Sequence, residues 1–69
     1  MVMMTPELAA EYERAAAVLE NGAMWESVIE WKAWDKAFDD APAGSTDRDI
    51  NNRAARILRE CIEKGEPLP

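Results

Sequence analysis

The 69-residue sequence predicts an all-α fold, a small three-helix domain made of a helical hairpin followed by a C-terminal helix. Apolar residues recur at spacings of three and four in three separate stretches, the period of helices with one buried face. Asn21-Gly22 and Ala41-Pro42-Ala43-Gly44 interrupt that period with helix-ending and turn-forming residues. The expected helices run about 6–20, 23–40 and 46–64 within a single domain spanning 1–69, with a flexible tail at 65–69. A chain this short buries a modest core, so a second copy is expected to supply extra apolar burial as a homodimer.

The first helix starts at Thr5-Pro6-Glu7. Threonine caps the first free amides, proline suits the first helical position, and glutamate complements the helix dipole. Leu8, Tyr12, Ala15, Ala16 and Leu19 form one apolar stripe, which Asn21-Gly22 ends. The second helix, 23–40, holds all three tryptophans and the one phenylalanine. At ~100° per residue its apolar groups point two ways. Met24, Trp25, Val28 and Ile29 lie to one side, and Trp31, Trp34, Ala37 and Phe38 centre about 140° away. That helix is expected to face the core and an interface at once. Ser45 or Thr46 caps the third helix, whose inner face carries Ile50, Ala54, Ile57, Leu58, Cys61 and Ile62. Lys64-Gly65 closes it, and Glu66-Pro67-Leu68-Pro69 is expected to be loose.

Composition narrows the chemistry. Histidine is absent and Cys61 is the lone cysteine, so an internal disulfide is ruled out and a zinc site lacks its usual ligands. No catalytic, metal or cofactor residues are predicted, and the chain is expected not to be an enzyme. Paired acids such as Glu26 with Glu30, or Asp35 with Asp39 and Asp40, have no evident base or apolar pocket beside them and read as a solvated acidic face. No apolar run reaches the ~20 residues that span a bilayer, and the Met-rich start lacks the basic and apolar regions of a secretory signal. A cytoplasmic protein without a membrane partner is expected.

The net charge of −6 comes from the first two thirds, where acids far outnumber Arg14, Lys32 and Lys36. Such a surface repels phosphate backbones, so direct nucleic-acid binding is not expected. Arg48, Arg53, Arg56 and Arg59 concentrate positive charge on the last helix, but Asp47, Asp49, Glu60 and Glu63 offset it. Arg56 with Glu60 and Arg59 with Glu63 are spaced as same-helix ion pairs. Cys61 beside Leu58 and Ile62 reads as a structural thiol.

The segment from Tyr12 to Cys61 carries AAAVLENG at Ala15 to Gly22, then Trp31, then Asn52-Arg53-Ala54-Ala55. In these features it resembles the small AraC negative regulators, a family similar in size and pattern to the PerC-like regulators of enteric bacteria and their phages. Leu19, Gly22, Met24, Trp31 and Trp34 also resemble the hairpin of one tetratricopeptide unit, a likeness of fold alone. The first resemblance implies a noncatalytic, phage-type regulator that binds a host protein, a transcriptional regulator, and modulates it.

The partner-binding residues expected on the second helix are Trp34, Trp31, Trp25, Phe38, Glu30, Glu26 and Asp35. Tryptophan dominates binding hot spots because a large ring fills a desolvated pocket. Trp25 and Trp31 are expected to pack in the core or a dimer interface rather than against a foreign partner, and Trp34 is the preferred outward contact. Two other uses of the surface fit the composition: an acidic inhibitor that imitates nucleic acid and blocks a host DNA- or RNA-binding complex, or a structural assembly subunit.

Overall fold

A computed structural model describes residues 3–69; Met1 and Val2, at the start read as lacking a secretory signal, lie outside the described residues. The fold is all-α, with α1 at Pro6–Asn21, α2 at Val28–Asp40 and α3 at Asp47–Lys64. Thr5 caps α1 by accepting a hydrogen bond on Oγ1 from the Leu8 amide at 3.1 Å. Gly22 ends it in the left-handed region, φ 67°, where a side chain would be strained. Its amide donates to the Leu19 carbonyl and the Ala23 amide to that of Val18, which satisfies two of the last four carbonyls.

The second helix starts five residues later than the periodicity predicts. Ala23–Ser27 is not helical, so Met24 and Trp25 leave the helix to which the sequence pattern assigns them. The cause is a capping box. Ser27 is extended (φ −149°) and its Oγ accepts from the Ile29 amide at 3.3 Å, while the Glu30 carboxylate accepts from the Ser27 amide at 3.1 Å. At the other end, Ala41 precedes Pro42, which disfavours a further helical residue. For α3 it is Thr46 that caps, paired reciprocally with Asp49: its Oγ1 accepts from the Asp49 amide at 3.1 Å and Asp49 accepts from the Thr46 amide at 3.0 Å.

α3 is the platform of the molecule. α1 and α2 both lie along it and meet each other over a much smaller contact. The core joins Tyr12, Leu19, Ile50 and Leu58 to six buried alanines, two from each helix: Ala15 and Ala16, Ala33 and Ala37, Ala54 and Ala55. Among the described residues, Leu19 and Leu58 are the large apolar side chains buried completely. Small side chains bring helix backbones close but contribute little transfer free energy, roughly 0.8 kcal/mol per buried methylene-sized group. A core of this composition gains less from burial than one of leucines and aromatics.

Two cross-links fasten the helices at the surface. Arg59 on α3 reaches α1, pairing with Glu13 at 3.0 Å and with Glu20, rather than with Glu63 on its own helix as the spacing predicts. The C-terminal segment is anchored, contrary to the expected loose tail. The Leu68 amide donates to the Tyr12 hydroxyl at 2.9 Å, the Met4 amide donates to the Gly65 carbonyl at 2.9 Å, and Leu68 packs against the core. Leucine between two prolines is held in a preset extended path, so little entropy is lost when it docks.

Tyr12→Phe keeps the ring and deletes the acceptor for Leu68. Urea unfolding should show a loss of about 1 kcal/mol, the scale of one hydrogen bond, with proteolysis near the C-terminus accelerated. An unchanged urea midpoint and unchanged cleavage would show that the hydroxyl does not hold the tail.

Candidate protein-docking surface

The bulkiest apolar side chains of the chain lie outside its core. Trp31, Trp34 and Phe38 recur at i, i+3 and i+7 on α2, so they share one stripe. Trp25 joins them from the extended segment before the helix. It meets Trp31 edge to face, with ring centroids 4.5 Å apart and planes at 84°, and touches Trp34 at 5.9 Å. Trp34 in turn stacks on Phe38 at 5.3 Å. Four rings thus form one continuous strip, in geometries that aromatic quadrupoles favour.

The strip is unevenly covered. Trp34 is half-buried and donates its indole Nε1–H to Asn51 Oδ1 on α3 at 3.0 Å, so it anchors the strip to the platform. Its neighbours are open: Trp31 is 58% exposed and Phe38 56% exposed. Met24 and Val28, at the same end of α2 as Trp31, are more exposed still. Trp25 is half-buried beneath Trp31. Trp34, the outward contact expected from the sequence, is thus less open than Trp31 and Phe38, which lie about a turn away in each direction.

The acids of the predicted site separate. Glu30 is removed from the surface, at 1% exposure, which corrects its assignment to a solvated acidic face. Its carboxylate accepts from the Glu26 amide at 2.6 Å, from the Ser27 amide and from the Ser27 hydroxyl. Burial pushes this carboxyl's pKa up, but the hydroxyl and amide hydrogen bonds together outweigh it and hold the pKa below the usual value. Glu26 is exposed and paired with Arg14 of α1 at 2.9 Å. Asp35 is exposed, and neither it nor Asp39 nor Asp40 has an ion-pair partner among the described residues.

One hollow borders the strip at Phe38, a second lies between α1 and α2, and a third is lined by Lys32, Asp35, Lys36 and Asp39 with Leu68. Beside Phe38, a depression of about 270 Å³ is lined by Ala41, Pro42, Gly44 and Ile50. Between α1 and the start of α2, where those helices diverge, an open cleft of about 430 Å³ has Val18, Val28 and Ile29 on its walls and Arg14 and Glu26 at its rim. Cys61 is half-buried, and burial pushes its thiol pKa up, away from the reactive thiolate. Among the described residues, no group of histidine, cysteine or acidic side chains has metal-binding geometry. No helix of the described residues is long and apolar enough to cross a membrane. Comparison with protein-family models, with characterised proteins and with solved structures finds no match to this chain.

Sequence periodicity could have found the exposed stripe but not its depth, because the heptad-like spacing of 31, 34 and 38 is equally that of a buried seam. The role of Glu30 was legible as Ser27-x-x-Glu30, a capping-box signature. The bulk of Ala23, Met24 and Trp25 masked it by extending the apparent helix backwards.

Because the Glu30 pKa is depressed on folding, its contribution to stability is present above the unfolded carboxyl value of 4.5 and is lost as pH falls through the folded value. Glu30→Gln should cost about 1–2 kcal/mol at neutral pH and flatten the acid limb of the stability curve. Chemical unfolding from pH 7 to pH 3, followed by tryptophan fluorescence, checks this. An acid limb as steep in the variant as in the parent would remove Glu30 as its source.

Proposed function

We propose that this chain is a noncatalytic protein-binding regulator that docks its partner on the aromatic strip of α2. The observation that carries this is the exposure of Trp31 and Phe38 on a strip anchored to α3 through Trp34. Monomeric proteins rarely leave contiguous apolar patches of more than a few hundred Å² in water. A partner covering the open parts of the two rings buries on the order of 250 Å² of apolar surface. That is worth about 6 kcal/mol before the entropy of association is subtracted. The rings are already stacked and the anchor already hydrogen-bonded, so little ordering is left for the binding step.

Acidic mimicry of nucleic acid is less favoured. Glu13 and Glu20 are paired with Arg59, Glu26 is paired with Arg14, and Glu30 is buried, so the acids do not form one uncompensated field. A host transcriptional regulator as partner, and a phage-type role in modulating it, rest on the resemblance carried by residues 12–61. A homodimer formed through the same face would compete with a foreign partner.

Replacing Trp31 and Phe38 together by alanine tests the proposal. Each ring should contribute about 2 kcal/mol, so the double variant should bind its partner several hundred-fold more weakly while circular dichroism stays unchanged. Crosslinking and affinity purification with parent and variant, alongside solution mass, provide the comparison. Recovery of the same partner in equal yield by both chains would rule out the strip as the docking surface.

A further inference from the structure

We infer that the strip takes an amphipathic helix of a partner protein whose apolar face is bordered by arginine or lysine, one such cation stacking on Trp31 and pairing with Asp35. The inference rests on the proposal that this strip is a docking surface and names the chemistry of its occupant.

Three features of the surface select that occupant. Asp35 lies one turn after Trp31 and three residues before Phe38, so helical geometry puts it beside the strip, and unlike Glu30 it is exposed. Asp39 follows one turn later, and Lys32 and Lys36 lie further round the helix. With no ion-pair partner among the described residues, Asp35 is available to an incoming cation. The exposed indole of Trp31 supplies the second half of the receptor, because a guanidinium or ammonium over an aromatic face gains from the ring quadrupole. An arginine fits best, since its plane can stack and its fork can pair at the same time.

The other end of the strip is apolar. Phe38 borders the depression formed by Ala41, Pro42, Gly44 and Ile50, whose size suits an aliphatic side chain. Trp31 and Phe38 are two turns apart, ~10 Å along the axis, which matches about seven residues of a facing helix. The occupant is thus a helix with arginine at one position and leucine two turns away.

Net charge also disfavours the nearest competitor, although its α2 brings Lys32 and Lys36 as well. A second copy carries the same net charge of −6 and presents the same Asp35 beside its own strip. Two copies joined through this face bring like charges to the rim of the contact, which costs rather than stabilises. Anionic membranes and nucleic acids are repelled for the same reason.

The test uses the full chain and three synthetic amphipathic helices that share a leucine face and differ only in flanks of arginine, glutamine or glutamate. Binding is read by tryptophan fluorescence and calorimetry. The arginine peptide should bind at least about tenfold more tightly than the glutamine peptide and lose that advantage at high salt. Asp35→Arg should reverse the preference, so that the glutamate peptide binds best, and Trp31→Ala should weaken every peptide. Asp39→Arg provides a second reversal if Asp35→Arg alters the fold.

Equal binding of the three peptides, each weakened by Trp31→Ala, would overturn the basic partner and leave the docking surface standing. A Trp31-dependent dimer that excludes all three peptides would overturn it in favour of a second copy. Trp31-dependent binding to phosphatidylserine vesicles without peptide binding would overturn it in favour of a membrane. Absence of all these, with partner capture unaffected by Trp31 and Phe38, would overturn both this inference and the docking surface.

Discussion

Alanine governs how close these helices come and how much they gain by it. Each helix contributes two buried alanines to the contact on α3, and the core has few large side chains beyond Leu19, Leu58, Ile50 and Tyr12. Close approach needs side chains of this size, and a core made of them cannot hold a tryptophan without driving the helices apart. The three indoles and Phe38 are thereby kept out of the buried core: Trp25 and Trp34 pack against its edge, and Trp31 and Phe38 face outward. The same small core makes the peripheral restraints matter. The Ser27–Glu30 and Thr46–Asp49 boxes, Arg59 across α1, and Leu68 on Tyr12 each add on the order of 1 kcal/mol or less to a small total.

Local chemistry was legible where it is written in adjacent residues. Thr5-Pro6, Asn21-Gly22, Pro42 and Lys64-Gly65 mark ends that agree with the structure to within a residue or two, because capping and φ preferences act over a single turn. What remained illegible depends on depth or on distant residues. Leu68 and Tyr12 are 56 positions apart, and nothing in either marks the other. Arg59 had a plausible acid on its own helix and chose two on α1 instead. Trp34 and Trp31 read alike, and only the position of Asn51 makes one an anchor and leaves the other open.

The distribution of charge follows from the same architecture. α3 is nearly balanced in charge and central, so its Arg59 can serve the acids that α1 turns toward it. At the beginning of α2, Arg14 takes Glu26 and the cap takes Glu30. The later part of α2 is reached by no arginine, and its aspartates stay unpaired beside the rings. Apolar area and aspartates without a direct ion pair thus lie side by side on one helix, with Lys32 and Lys36 beyond them. In a monomer that combination gains nothing, since exposed rings order water and unpaired aspartates repel each other.

A partner changes the energetics of the whole domain, not only of α2. Ligand that binds only the folded state stabilises it by RT ln(1 + [L]/Kd), about 2.7 kcal/mol at a hundredfold excess over Kd. For a chain whose core is built largely of alanine, that is comparable to a substantial part of its own stability. The link runs through identifiable atoms: Trp34 is held by Asn51, Trp25 packs on Trp31 and Trp34, and Trp25 precedes the Ser27–Glu30 cap by two residues. A partner docked as proposed would favour the packed position of Trp25 and with it the backbone that forms the cap, while loss of the cap would free Trp25 and loosen the strip. Docking and the folding of α2's first turn are therefore reciprocal, as any two events that share a structural element must be. The late start of α2 is what creates this coupling. Had the helix begun at residue 23, as its apolar pattern invites, Trp25 would be fixed by helical geometry alone and the cap would have no bearing on the surface.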